Sequence, residues 1–520
     1  MRVLLVTGRL AESTVRKVAE KLEEVDVTVL PISVAAFITP EYAAANLMED
    51  PPVDYDLILF PGTIRGDVSP VEIATGIPTY KGPDYPNEIS TVLESLDEIK
   101  LSKTHSASEL LHTSKKEKAQ VELQNIKENW REIYEEHGGY LLGDGERQLV
   151  YGAHFPMRVI AEIVNAPTLD ISAVSNRAKY YQSMGADVID IGMIAGKPDP
   201  KKVTELITTV QSSVNIPVSI DTLDPSEIKA AVEADVDLVL SIDAGNMEAC
   251  APYLQDIPVV VLPTNLRDGY FPHSAEERVN KLLDNLTMAS ELGIKNVIAD
   301  PVLEPAVKPG LIESLRAYQL FRLIDSATPV LFGLGNVTEL IDADSVGVNG
   351  LLGALASEVN ADLLFVPEYS VKAQGSVSEV VTASQMMYLA NKYGTPPKDL
   401  GVDLLRLKEK RITEKPYYSE FEENVKVMGG SLGEFVLDKK GWFVIRIDRE
   451  DHKICATHYS GVNKPDVIVK GRTAREIYVT ILNQDLVSRM DHAAYLGKEL
   501  TKAELALQLN RSYIQDSPLF

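Results

Sequence analysis

Eight short apolar runs punctuate residues 157–367, and polar residues collect just past their C-terminal ends. The runs are MRVIAEIV, ADVIDIG, IPVSI, VDLVLSI, IPVVVL, NVIAD, PVLFGL and ADLLFV. Each is short, and polar or turn-forming residues bound it, which reads as a buried strand. Helical patterns fill the gaps, over roughly 175–184, 200–213, 225–233, 246–254, 274–292, 310–325, 346–358 and 376–392. Eight such alternations within residues 150–395 predict an α/β fold with a closed (β/α)8 barrel. Barrels of this kind carry their chemistry at the C-terminal ends of the strands. Asn165, Asp190, Asp221, Asp243, Asn265, Asp300, Asn336 and Glu368 stand there. The competing doubly wound sheet often opens on a Gly-rich loop after its first strand. Here that place holds Asn165-Ala166-Pro167-Thr168.

The flanking patterns predict further domains. Residues 1–105 hold three strands, MRVLLVTG, VDVTVLP and YDLILFPG, with a helix at STVRKVAEKLEEV. That alternation predicts a small parallel α/β domain. Thr7-Gly8-Arg9 reads as a tight strand-to-helix turn, because no full phosphate-loop pattern follows it. Residues 106–149 read as a helical connector with an apolar stripe of Leu110, Leu111, Val121, Leu123, Ile126, Trp130 and Ile133. Residues 396–430 read as a linker with one short basic helix. Residues 431–520 predict an α+β domain: a hairpin of GWFVIRIDRE and KICATHYS, then helices at AREIYVTILNQ and AAYLGKELTKAELALQLNRSY.

Composition narrows the function classes. The chain of 520 residues carries 51 basic and 76 acidic residues, a net charge of −25. That balance opposes binding to nucleic acid or to an anionic membrane surface. Two cysteines far apart in sequence, Cys250 and Cys455, imply no disulfide framework and a reducing, cytoplasmic setting. Residues 1–8 enter a strand pattern with no charged leader, and no run approaches eighteen apolar residues. Cys455-x-x-His458, with His492, Glu499 and Glu504, is a weak metal signal, since a zinc site needs four converging ligands.

The order of the strand-end groups carries a resemblance. Asn165 is followed by Gly185-Ala186-Asp187-Val188-Ile189-Asp190-Ile191-Gly192, then Ser219-Ile220-Asp221-Thr222, then Asp300-Pro301, then the segment GLGNVTE at 333–339. This series resembles the pterin-binding barrel superfamily of dihydropteroate synthases and methyltetrahydropterin-dependent methyltransferases. The three-part arrangement, ending in SRMDHAAYLGKELTKAELAL, resembles an archaeal dihydropteroate synthase-related family. The resemblance implies a methanopterin-type pterin as substrate or ligand. A pterin ring offers an amino group and a ring N–H side by side, and a buried carboxylate can accept both. Asp221 and Asp300 are the expected acceptors. Asp190, Asp243 and Asn265 join the substrate-binding set. Asn336 offers a donor and an acceptor to a ring nitrogen. The resemblance places Asn165 at a diphosphate leaving group or its Mg2+, an ion that favours oxygen ligands.

Departures from the synthase pattern divide the expected reaction. The synthases carry a Ser-Arg-Lys motif after the seventh strand and Arg-x-His after the eighth. Here Gly335-Asn336-Val337-Thr338 and Tyr369-Ser370-Val371-Lys372 stand there, so Lys372 is the candidate for the lost catalytic charge. The Asn expected after the fourth strand is absent, and Asp243 or Asn246 is its candidate substitute. The first expected reaction is a condensation of dihydropterin-methyl diphosphate with an arylamine. For the phosphate of a ribosylated arylamine, Arg9, Arg267, Lys308 and Lys372 are candidate partners. The second is methyl transfer to a corrinoid partner, because GLGNVTE resembles the methyltransferase segment Gly-Leu-Ser-Asn-Val-Ser. The third is a non-catalytic pterin-binding protein. The resemblance also implies a homodimer through outer helices.

Overall fold

A computed structural model describes residues 1–97, 99–407, 436–461 and 464–519. The short basic helix expected within 396–430 lies largely outside them, and 396–407 holds no helix. The chain forms two compact units. One comprises 1–368 and 375–406, the other 369–374 and 407–520.

The first unit begins with a four-stranded parallel sheet. Its strands are β1 (Val3–Gly8), β2 (Val25–Leu30), β3 (Leu57–Phe60) and β4 (Thr79–Lys81), in the order β2-β1-β3-β4. Leu4, Val6, Ile58 and Phe60 pack into one core and Val3, Leu5, Leu57 and Leu59 into another, as period-two alternation requires of a sheet covered on both faces. The turn after β1 is tight, as expected. Arg9 N–H donates to the Ile32 carbonyl at 2.9 Å, and a Cβ at Gly8 would come within 2.9 Å of the Ala35 nitrogen.

The connector forms two helices, Ala107–Glu128 and Trp130–His137. Its stripe is not quite the expected one: Leu111, Ala119 and Ile126 are buried, whereas Val121 is exposed. A hairpin follows, β5 (Tyr140–Leu142) and β6 (Leu149–Tyr151), where the sequence reads only as a glycine-rich boundary.

The barrel then follows the apolar runs. Its strands are β7 (Arg158–Ile163), β8 (Val188–Gly192), β9 (Val218–Asp221), β10 (Leu238–Ile242), β11 (Val259–Val261), β12 (Val297–Ala299), β13 (Leu331–Gly333) and β14 (Leu363–Pro367). All neighbours pair in parallel, in the order β12-β11-β10-β9-β8-β7-β14-β13. An isolated parallel bridge between Ala299 and Val330 joins the two ends of this sheet. Alternation sorts the strand residues into two cores. Val159, Ala161, Ile163, Ile189 and Ile191 pack outward under the helices. Ile160, Val188, Leu238, Leu240, Val260, Ile298, Leu331 and Leu363 fill the interior together with Leu142 and Tyr151 of the hairpin. The hairpin thus caps the interior at one end, opposite the strand ends that carry the acids.

The second unit holds an antiparallel sheet of β15 (Trp442–Asp448), β16 (Lys453–Tyr459) and β17 (Val467–Gly471), with helices Ala474–Asn483 and Met490–Gln508. Phe443, Ile445, Ile454, Ala456 and Val469 meet Ile477, Ile481, Leu496 and Leu500 in its core. No helix among the described residues is long and apolar enough to cross a membrane.

Candidate active site at the barrel mouth

The inward positions of β7, β8 and β9 turn acidic on approaching the mouth. Ile160 is followed two residues on by Glu162, Val188 by Asp190, and Ser219 by Asp221. Register aligns them: Glu162 pairs with Asp190, Asp190 with Ser219, and Gly192 with Asp221. Glu162, Asp190 and Asp221 each offer a carboxylate oxygen, and these oxygens lie within 4.8 Å of one another. A Cβ at position 192 would collide with the Glu162 carboxylate, so glycine there makes room for it.

Burial and like charge push these acids upward. Glu162 is raised to about 8, by desolvation first and then by Asp221 and Glu339. Asp221 is raised to about 7, by desolvation and then by Asp300. Asp190, 0% exposed, is raised well above the carboxylate range by burial, Asp221 and Glu162, against which only the Ser219 hydroxyl acts. That hydroxyl donates to Asp190 Oδ1 at 2.6 Å, and Oδ2 has no partner.

Asp300 follows β12 and is built differently. Its Oδ1 accepts the Tyr318 hydroxyl at 2.9 Å and the Val302 N–H at 2.8 Å. Burial raises it to about 6, while those two bonds and Arg278 pull the other way. The loop beyond is held from below. Arg278, 0% exposed, donates to the Val302 carbonyl at 2.8 Å and to Ser314 at 3.1 Å, and pairs with Glu304. Val302 adopts φ +67°, a left-handed conformation rare for a β-branched residue. Asn336 stands exposed after β13, and its Nδ2 donates to the Leu303 carbonyl at 2.7 Å.

Asp243, Asn246, Asn265 and Glu368 have their side chains bonded locally. Asp243 Oδ2 accepts from Thr264 and from Leu266 N–H, both at 2.7 Å, and Oδ1 accepts from Gly245 N–H at 2.8 Å. Asn265 caps the turn Leu266–Asp268, receiving the Asp268 N–H at 3.3 Å. Asn246 Oδ1 accepts the Asp243 N–H at 2.9 Å, and its Nδ2 donates to the Leu223 carbonyl at 2.9 Å. Asn165, directly after β7, adopts φ +51°, which Asn tolerates better than most residues, and starts the turn Ala166–Thr168. Glu368 accepts from Val377 N–H at 2.9 Å and from Tyr180 at 3.3 Å. Lys372 lies in the turn Val371–Ala373, which groups with the second unit. Glu162, Arg278, Tyr318 and Glu304 were not among the sequence candidates. The signal for Glu162 was a lone acid at an inward position of an otherwise apolar run.

The weak metal pattern of the second unit does not converge. Cys455 and His458 are three residues apart on one strand and so point to opposite faces. His492 hydrogen-bonds Asp438, and Glu499 pairs with Lys502.

Three stretches of the chain match known families. Residues 165–343 match the model described as pterin binding enzyme. Residues 1–84 match a family of unknown function, and residues 437–516 match one described as PterinBD-DUF4346. A dihydropteroate synthase from Clostridium beijerinckii is 26% identical over 148 residues, covering 25% of this chain and 54% of that one. The solved dihydropteroate synthase of Xanthomonas albilineans in complex with 7,8-dihydropteroate aligns with a TM-score of 0.38 and 21% identity, over 47% of this chain and 95% of that one. The uncharacterised protein MJ0107 of Methanocaldococcus jannaschii is 38% identical over 100% of this chain and 99% of its own. The chain therefore belongs to the family of that archaeal protein, and within it residues 165–343 form a pterin-binding barrel domain.

Proposed function

We propose that the barrel mouth binds a reduced, methanopterin-type pterin and condenses its methyl diphosphate with an arylamine. The observation that carries this reading is the pair of half-buried acids Asp221 and Asp300 at the C-terminal ends of β9 and β12, near enough for the charge of Asp300 to raise Asp221. Both bonds to Asp300 fall on Oδ1, which leaves Oδ2 for the donors of the pterin ring. Asp221 stabilises positive charge developing at the pterin methylene. The arylamine nitrogen forms the new C–N bond as the C–O bond to diphosphate breaks. The diphosphate leaves with the electron pair, and an ionised mouth carboxylate takes the amine proton. A divalent ion, when bound, neutralises the departing diphosphate, and the Asn165 side chain is its proposed holder.

A second reading is supported by Asn336. Its Nδ2 is committed to Leu303, while its Oδ1 stands at the exposed rim, where it suits a ring nitrogen of a methylated pterin. In that reading the protein passes the methyl group to a separate corrinoid protein. One experiment separates the two. The protein is mixed with dihydropterin-methyl diphosphate, Mg2+ and an arylamine, and diphosphate release is followed. Release above the blank is the expected result. No release, together with micromolar binding of methyl-tetrahydromethanopterin, would overturn the condensation in favour of methyl transfer.

A further inference from the structure

Buried and half-buried acids elsewhere in the first unit have a cation or at least two hydrogen-bond donors beside them, as Asp243 and Glu227 do. Asp187 faces Arg158, Asp237 faces Arg147, Asp362 faces Arg322, and Glu304 faces Arg278. Glu162, Asp190 and Asp221 are the exception. The charged groups acting on them are Asp221, Asp300, Glu162 and Glu339, all acids. Three carboxylates held this close, one buried and two half-buried, repel one another and lose part of their hydration. Asp190 adds a second, separate sign of a missing partner. It is 0% exposed, its Oδ1 is taken by Ser219, and Oδ2 is the atom it has left to offer.

We propose that Glu162, Asp190 and Asp221 form a divalent-cation site, suited to Mg2+ or Mn2+, beneath the pterin position. All three donors are hard carboxylate oxygens, the ligand type these ions prefer over the nitrogen and sulfur sets that hold zinc. They project from three adjacent strands, so the backbone fixes their spacing. The ion offsets the charge of all three acids and keeps Asp221 ionised toward the pterin. Asn165, on the turn beyond β7, is not one of its ligands. The inference rests on the proposed pterin reading only for what lies above the ion.

The test uses Mn2+ alone with the full chain, following the electron paramagnetic resonance signal of free Mn2+. One saturable site per chain is expected. Glu162→Gln and Asp190→Asn should each weaken it at least roughly tenfold, while Glu233→Gln, at an exposed acid of an outer barrel helix, should leave it unchanged. Thermal melts establish that each variant is folded, and either acid variant suffices if the other is not. Absence of saturable binding up to millimolar Mn2+ would overturn the site, leaving protons as the neutralising partner. Wild-type affinity in both acid variants, or an equal loss in Glu233→Gln, would overturn it too. Pterin binding is measured on the same preparation by fluorescence. Pterin binding without a Mn2+ site defeats this inference alone, and a Mn2+ site without pterin binding defeats the pterin reading alone.

Discussion

Asp190 and Asp438 are both buried aspartates, yet they are opposites. Asp438, in the second unit, has a fully buried side chain. It accepts from the N–H groups of Lys440, Ser488 and Arg489, from the Ser488 hydroxyl and from His492. Burial pushes its pKa up, but those donors outweigh it and hold the carboxyl well below its usual range. Asp190, in the barrel, has one hydrogen bond, two acidic neighbours and a raised pKa. One site is complete within the chain, and the other is not. A carboxylate whose oxygens are all taken by its own chain holds structure together. One left short of partners in a concave mouth is waiting for a ligand. By that measure Asp243 stands with Asp438, and Glu162 and Asp221 stand with Asp190.

The comparison breaks most visibly at Asp438. Asp438→Ala leaves several donors unpaired in a buried place, each costing roughly 1–3 kcal/mol. We expect the second unit to lose more than about 3 kcal/mol. Urea unfolding in a Trp130→Phe background, with Trp442 as the reporter, measures it. An unchanged midpoint would mean that hydrogen-bond satisfaction does not separate the two kinds of acid.

Asp300→Asn comes next. The substitution removes the charge from the proposed pterin contact and turns an acceptor into a donor on one side. With charge-assisted bonds worth roughly 1.5–3 kcal/mol, pterin affinity should fall on the order of a hundredfold. Titration by pterin fluorescence reads this directly, and unchanged affinity would displace the ligand from Asp300.

The same contrast should appear in the response to pH, with opposite signs. Asp300 is held up to about 6 from 3.8, so the folded state binds its proton more tightly than the unfolded chain does. Its ionisation destabilises the first unit as pH rises from about 4 to 6, and the full cost is present above that window. Asp438 is held below 3.8, so its contribution is present above that value and is lost as pH falls below it. Unfolding midpoints between pH 3 and 8, with Trp130 and Trp442 as separate reporters, should move in opposite directions. Parallel movement would refute the assignment.

The sequence carries much of this organisation and stops at identifiable points. The strands and helices of the barrel are legible because their apolar periods differ, and every expected strand from MRVIAEIV to ADLLFV forms. The hairpin of β5 and β6 is not legible, since three-residue strands between glycines have no measurable period. Strand-end position singles out Asp190, Asp221 and Asp300, but it singles out Asp243 and Asn265 equally. Only the loop geometry shows that Asp243 is saturated by Thr264, Leu266 and Gly245. Glu162 lies inside a strand run, and its neighbour Asp190 is set by inter-strand register, which one sequence does not contain.

The smallest expected effect is the most informative about the mouth. Asp190→Asn removes a carboxyl whose ionisation burial, Asp221 and Glu162 oppose, and keeps an acceptor for the Ser219 hydroxyl. Removing a structural acid such as Asp438 destabilises, whereas removing a strained one relieves repulsion. Without added divalent ion, the variant should therefore melt at or slightly above the wild-type temperature, by about 1 kcal/mol or less in stability. With millimolar Mn2+ present, the order should reverse, because the wild type gains binding energy that the variant has largely lost. A clear loss of stability in the metal-free variant would make Asp190 a structural acid like Asp438, and the three-acid group an ordinary part of the barrel wall.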